Sequence, residues 1–271
     1  TLSDPHAQLR LLGGPGSDTI NVIGGSGDDQ FVLDQNLITL NGFSVIGSDV
    51  EQWRTNGDIG DDVFTVRSQH AGTIIGGTGV DQIVADDVAN NWTLQGFNTG
   101  FLNGIVSFQT VESLIGGGED DHFAFLPSGR VAGIIDGGAG GRNQLDYSAR
   151  TAPVTINLAT SGTTGAGRIT GINSVIGSSA DDRLIGRNSA NHWNIDGSNA
   201  GELNGTEISF LSIESLTGGP ADDVFYFQYS GAITGMLSGG AGIDRLKLLD
   251  SNGPLDVVVS ATGRSVAGVI G

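Results

Sequence analysis

The feature that most restricts this chain is a turn written many times over. The stretch from Val111 to Phe125, VESLIGGGEDDHFAF, returns from Ile213 to Phe227 as IESLTGGPADDVFYF. At its centre stand paired glycines, a short polar run, an Asp or Asp-Asp, and then large apolar residues at alternate positions. Glycine accepts the positive φ that a tight corner requires, and Asp hydrogen-bonds nearby backbone N–H groups. The alternation that follows points every second side chain to one face, which is the pattern of a strand. The same grammar occurs at 13–18, 24–29, 57–62, 76–81, 116–121, 137–143, 177–182, 218–223 and 239–244, nine copies of which eight keep Asp at the sixth position. Self-similarity of this kind is the signature of a repeat architecture.

Longer modules surround the turns. Ala89-Asn-Asn-Trp-Thr-Leu-Gln-Gly96 matches Ala190-Asn-His-Trp-Asn-Ile-Asp-Gly197, and Leu102-Asn-Gly104 matches Leu203-Asn-Gly205. Asn-Gly is a strong hairpin-turn dipeptide. Ile20, Val22, Phe31 and Leu33 are inward candidates in the opening segment, and Trp92 and Trp193 read as core. Phe123, Phe125, Phe225 and Phe227 are expected to pile ring on ring, and Asn90-Asn91 with Asn191 to form a stacked amide ladder. Turn signals recur about every 20 residues. The expected fold is therefore all-β, a parallel β-solenoid of the β-helix or β-roll kind with coils of about 20 residues. Roughly thirteen coils at about 4.8 Å each would make a rod about 60 Å long. One continuous solenoid is expected over 1–271, with modules near 1–88, 89–189 and 190–271.

Composition narrows the function classes. Glycine supplies 46 of 271 residues while 38% remain hydrophobic, so the chain is neither collagen nor a disordered linker. The net charge of −18 argues against nucleic acid and against an anionic membrane, and makes cations the natural counterpart. With no cysteine, stability must come from packing, backbone ladders or bound ions. No apolar run is long enough to span a bilayer. The start at Thr1, without Met or signal peptide, suggests a processed or excised product.

The Gly-Gly-x-Gly-x-Asp-x-apolar turns resemble the calcium-binding nonapeptides of the RTX family of secreted bacterial proteins. The Trp, Leu-Asn-Gly and Val-Glu-Ser-Leu modules look like those of giant repetitive bacterial surface proteins and adhesins. That resemblance implies Ca²⁺ between stacked turns, held by carboxylates and turn carbonyls. The implied ligands are Asp18, Asp29, Asp62, Asp81, Asp121, Asp182, Asp223 and Asp244, with Asp28, Asp61 and Asp222 beside them. Ca²⁺ suits such oxygen-rich turns. The copies here are not in continuous tandem, and Arg142 stands where the turn at 137–143 should offer a ligand, so the partner site of Asp121 is expected to be lost or monodentate. The reading that competes with metal is an Asp that only caps its own glycine turn.

The resemblance implies an extracellular or cell-surface location and a structural role, as a rod segment of an adhesin, matrix protein or filament. Partners would be further copies of the same repeat, in one chain or by head-to-tail stacking, and cell-surface or matrix glycans. Two other classes compete: a calcium-dependent carbohydrate-binding module, and a polysaccharide-degrading β-helix enzyme. Adjacent acids such as Asp120-Asp121 could serve as acid and base, but a catalytic site is singular and these are copied along the chain. The expectation is that this is not an enzyme. His6, His70, His122 and His192 share no metal spacing and read as surface or satisfied polar residues, and the sequons at Asn91 and Asn204 are too short to weigh. The apolar tail 257–271 resembles 154–177 and carries no polar cap, so both ends are expected to be covered by further repeats.

Overall fold

The computed structural model describes residues 8–67, 70–205 and 207–248. Every regular element in them is a β-strand, 28 in all, and none of the described residues is helical. The tail 257–271, His6 and Thr206 lie outside the described residues.

The sequence grammar operates locally as written. A strand begins directly after each of the nine Gly/Asp turns: Thr19–Ile23, Gln30–Asp34, Val63–Val66, Gln82–Ala85, His122–Phe125, Gln144–Asp146, Arg183–Ile185, Val224–Phe227 and Arg245–Leu248. Alternate residues of these strands turn inward, so that Phe64, Ile83, Phe123, Phe125 and Leu184 are fully buried. Ile20, Val22, Phe31 and Leu33 are buried as the alternation requires. Full burial of one such side chain is worth about 1.5–3 kcal/mol.

The chain divides into two compact units, Thr1–Gln144 with Gly165–Gly171, and Leu145–Thr164 with Ile172–Gly271. In the first unit one sheet runs in the order Gln8–Leu12, Phe43–Ser48, Leu37–Leu40, Gln30–Asp34, Val63–Val66, Gln82–Ala85, Ser113–Ile115, Ile134–Asp136, Arg168–Thr170. A second runs Thr19–Ile23, Gln52–Ile59, Gly72–Thr78, Val106–Gln109, Thr99–Leu102, Asn91–Gly96, His122–Phe125. In the second unit Ser174–Ile176, Ile208–Leu211, Ala200–Leu203, His192–Gly197, Val224–Phe227 and Arg245–Leu248 lie side by side. Facing the same turns are Gly162–Thr163, Thr155–Asn157, Arg183–Ile185, Ser215–Gly219 and Leu237–Gly240.

Some strands that follow successive Gly/Asp turns pair in parallel, as Gln30–Asp34 does with Val63–Val66, Val63–Val66 with Gln82–Ala85 and Val224–Phe227 with Arg245–Leu248. The uniform parallel coil of about 20 residues is not what forms. Three antiparallel meanders are spliced in at 30–48, 91–109 and 192–211, and the sheets are mixed. Paired turns lie 19 residues apart where none intervenes, from Asp62 to Asp81, and 33 apart across one, from Asp29 to Asp62. The meanders turn at Asn-Gly with both residues at positive φ, Asn41 at 49° and Gly42 at 88°, Asn103 at 52° and Gly104 at 68°, Asn204 at 51° and Gly205 at 72°. That is the type I′ geometry favoured by right-twisted hairpins. The sequence carried this signal, but the expectation of uniform coils left no place for it.

The aromatic pile also takes another form. Phe123 stacks on Trp92 and Phe225 on Trp193, each at 5.7 Å between centroids and 8° between planes, and Phe31 stacks on Phe64 at 4.8 Å. Parallel pairing puts Trp92 opposite Phe123 and Trp193 opposite Phe225, so register creates these pairs. Both tryptophans are fully buried, as core residues.

Candidate functional site

The repeated turns gather most of the buried polar groups of the chain: Asp29, Asp62, Asp81, Asn90, Asp121, Asn143, Asp182, Asn191 and Asp223. They are not scattered. Each sits at the sixth position of a turn or at the place equivalent to it, and each side chain but that of Asp29, which takes Gly25 N and Asn41 Nδ2, meets the backbone of a neighbouring turn.

The bonds form two rows of opposite direction. In the inner row, a sixth-position Oδ1 accepts a backbone N–H from the preceding turn. Asp62 accepts from Asp29 at 2.8 Å, Asp81 from Asp62 at 2.9 Å, Asp121 from Asn90 at 3.0 Å, Asp182 from Val154 at 2.7 Å, Asp223 from Asn191 at 2.7 Å and Asp244 from Asp223 at 3.0 Å. In the outer row, the Asp one position earlier accepts from the following turn. Asp28 accepts from Asp61 at 2.8 Å, Asp61 from Val80 at 2.8 Å, Asp120 from Arg142 at 2.6 Å and Asp222 from Ile243 at 2.8 Å. The turns of Asp29 and Asp62, Asp62 and Asp81, Asp121 and Asn143, and Asp223 and Asp244 are therefore clamped twice, once by each row. In the dipeptides 61–62, 120–121 and 222–223 the adjacent carboxylates leave the turn toward opposite neighbours.

Glycine makes room for the clamp. A Cβ added to Gly57 would lie 2.0 Å from Asp62 Oδ2 and 2.4 Å from the carbonyl oxygen of Gly76, so no other residue fits without displacing backbone. At three turns the second carboxylate oxygen also closes its own corner. Gly14 N donates to Asp18 Oδ2 at 2.7 Å, Gly25 N to Asp29 Oδ2 at 2.6 Å, and Ser178 N to Asp182 Oδ2. At Asp62, Asp81, Asp121 and Asp223 the equivalent oxygen is buried with no hydrogen-bond partner among the described residues. Burial pushes the carboxyl groups of these same four upward from the ordinary range, Asp81 and Asp121 to about 6, and the negative charges of nearby acids push the same way.

Several members of the rows escape a search for Gly-Gly-x-Gly-x-Asp. Glu51 Oε2 accepts from Asp18 N, Glu112 Oε2 from Asp81 N and Glu214 Oε2 from Asp182 N, each at 2.8 Å. Glutamate's extra methylene reaches where the chain arrives from a meander rather than from a glycine turn. The recurrence of Glu in Val111-Glu-Ser-Leu and Ile213-Glu-Ser-Leu was the available signal. Asn90 and Asn191 take the sixth-position role and do not form an amide ladder with Asn91. The turn at 137–143 joins the rows as well: Asn143 Oδ1 accepts Asp121 N at 3.0 Å, and Arg142 contributes its backbone N–H to Asp120.

Asp28, Asp61, Asp62, Asp81, Asp121, Asp182, Asp222, Asp223 and Asp244 thus lie in the rows as acceptors of backbone N–H groups, whereas Asp18 and Asp29 accept the N–H of their own corner and enter the rows as donors, Asp18 N to Glu51 and Asp29 N to Asp62. Ca²⁺ takes about six to eight oxygens, so at these turns backbone carbonyls would have to supply most of them. One oxygen of each carboxylate is committed to an N–H or to its own corner, and among the described residues no three acidic or histidine side chains converge on a common point. His70 is buried rather than at the surface, with Nδ1 2.9 Å from the carbonyl oxygen of Asp34 and its protonation disfavoured by burial.

No family model matches the chain, and no curated protein matches it.

Proposed function

We propose that the chain is a structural, non-catalytic segment of an extracellular or cell-surface repeat protein, a two-sheet parallel β-solenoid interrupted by antiparallel meanders. Its neighbours in the native object are further copies of the same repeat. The observation that supports this reading is the double clamp, in which the recurring carboxylates of the repeat hold one turn to the next. The adjacent carboxylates at 61–62, 120–121 and 222–223, the one feature an acid–base mechanism could use, leave their turns in opposite directions. The adhesin-like character comes from the resemblance of the modules, and the acidic surface suits a segment that must stay soluble while displayed. The clamps stand where the resemblance places calcium, so this reading routes no stability through the ion.

Antibodies against the chain should label the surface of intact cells that carry it, and deleting one meander with its turns should shorten the labelled structure without abolishing its attachment. Labelling only after permeabilisation would contradict the location. Saturable binding of a defined oligosaccharide to the isolated chain would favour the carbohydrate-binding alternative.

A further inference from the structure

One strand departs from its repeat on the side that faces solvent. Glu51, Glu112 and Glu214 hold equivalent places in the rows, and the residues after them read Gln52-Trp-Arg54, Ser113-Leu-Ile115 and Ser215-Leu-Thr217. The middle residue is buried in all three copies, as Trp53, Leu114 and Leu216. The residues beside it are not repeated: a long amide and a cation stand where the other copies have serine and Ile or Thr. This exchange borders a groove of about 600 Å³ on the outer face of Thr19–Ile23, Gln52–Ile59 and Gly72–Thr78, all within the first unit. Sites for small ligands have volumes of this order. Parallel register sets the floor as a grid, with Thr19 opposite Gln52, Asn21 opposite Arg54, and Arg54 opposite Thr73. Gln52 Oε1 accepts Thr19 Oγ1 at 3.3 Å, and its amide nitrogen is unclaimed among the described residues. Glu51 gives Oε2 to Asp18 N at 2.8 Å and keeps Oε1 unclaimed among them. Asn21 and Arg54, both exposed, make no side-chain hydrogen bond or ion pair among the described residues. Ile105, 47% exposed, adds an apolar surface to the lining.

The groove thus brings unclaimed donors, an unclaimed acceptor and an apolar patch into one small area. Its one cation, Arg54, is balanced by one carboxylate, Glu51, and the chain as a whole carries −18, so a polyanion is repelled. A peptide strand has no ladder to join on this floor, because Gln52–Ile59 is already paired on both sides. The fitting ligand donates and accepts at adjacent positions and also brings C–H surface. A hydroxyl does both. Neighbouring side chains of the grid stand about 4.8 Å apart across strands and about 6.8 Å apart along one, the scale of a sugar ring whose C–H face would rest on Ile105. We propose that this groove binds a neutral oligosaccharide, with Arg54 and Glu51 Oε1 taking its hydroxyls and Asn21 and Gln52 extending the contact along the strands. The clamps are copied along the chain, whereas this set of side chains occurs once, as a ligand site does. The inference goes beyond the structural reading: a rod displayed at a surface carries on its flank a place to hold glycan, and Glu51 keeps its clamp through Oε2.

The test presents a panel of neutral oligosaccharides, uronate-bearing oligosaccharides and acidic peptides to the intact chain, once with Ca²⁺ and once with EDTA. A neutral member should bind saturably and equally in both, and in a nitrogen-15 NMR titration it should shift the amides of Gln52, Arg54, Thr73 and Ile105 first. R54A should weaken that binding roughly tenfold or more, as expected for losing hydrogen bonds from a charged group. Q52S and R54T together rewrite the strand as its counterpart at 215–217, a sequence this fold already accommodates, and should remove binding while the melting temperature stays near that of wild type. The proposal is overturned if no neutral member binds, if the acidic members are preferred, if the shifted amides lie elsewhere, or if the double variant binds as wild type does. Binding that needs Ca²⁺ also overturns it and belongs to the carbohydrate-binding alternative instead. Absence of binding leaves the structural reading in place, because the labelling of intact cells tests that separately.

Discussion

The ladder Asn90–Asp121–Asn143 in one unit and the ladder Asn191–Asp223–Asp244 in the other are built on nearly superposable modules, yet they end differently. Trp92 and Trp193 each stack on a phenylalanine and meet a second ring edge-on, at 6.2 Å for Phe108 and 6.1 Å for Phe210. Asn98 and Glu112 join by a short hydrogen bond, as Asn199 and Glu214 do at 2.9 Å. At the last position an uncharged amide in one ladder and a carboxylate in the other accept the same backbone N–H at 3.0 Å. The difference teaches that the position requires an acceptor, and that charge is incidental to it.

The comparison breaks most visibly at the rings. W92A and W193A should each cost about 3–5 kcal/mol in urea unfolding, and the two costs should agree within about 1 kcal/mol, since each removes an equivalent buried stack. Unequal losses would show that the modules are not energetically interchangeable.

Removing the middle acceptor comes next. D121A and D223A each strand a buried amide, that of Asn90 or of Asn191, and should lower stability by about 1–3 kcal/mol by the same assay.

The end positions sharpen the comparison by exchange. N143D should destabilise by about 1 kcal/mol or more at pH 7, because it loses the donations to Gly171 and Gly140 and adds charge beside Asp120 and Asp121. D244N should be neutral or stabilising. The sign with pH follows from carboxyls whose folded values are raised: the contribution of Asp81 and Asp121 is fully present below about pH 4 and is lost as pH rises through about 6. Thermal melts from pH 4 to 8 should record that decline, steepened by N143D.

The smallest expected effect is that of calcium. Millimolar Ca²⁺ or EDTA should shift the melting temperature by less than the replacement of a single clamp, whereas one independent site of millimolar affinity would add about 1 kcal/mol or more at saturation.

What the sequence made legible was local. Each glycine–aspartate turn does feed a strand, each Leu-Asn-Gly does make a hairpin, and both tryptophans are core, because backbone conformation and side-chain alternation are properties of a few adjacent residues. What it hid was pairing. Asp81 meets a turn 19 residues away on one side and a glutamate 31 away on the other, because a meander intervenes only on the second side and resets the register without altering the motif. Asn90, Asn191, Glu51, Glu112 and Glu214 were missed for that reason: their role exists only once the neighbouring turn is in place. The bonds these carboxylates make to backbone N–H groups were hidden because backbone donors are silent in a sequence.

Amide hydrogen exchange on D62A tests the double clamp most directly, since the bonds have direction. The amide of Asp29, which Asp62 holds in wild type, should exchange at least tenfold faster, whereas the amide of Asp62's own position, held by Asp81, and that of Asp61, held by Asp28, should stay protected. Unchanged protection at Asp29, or faster exchange at the substituted position in its place, would contradict the clamp.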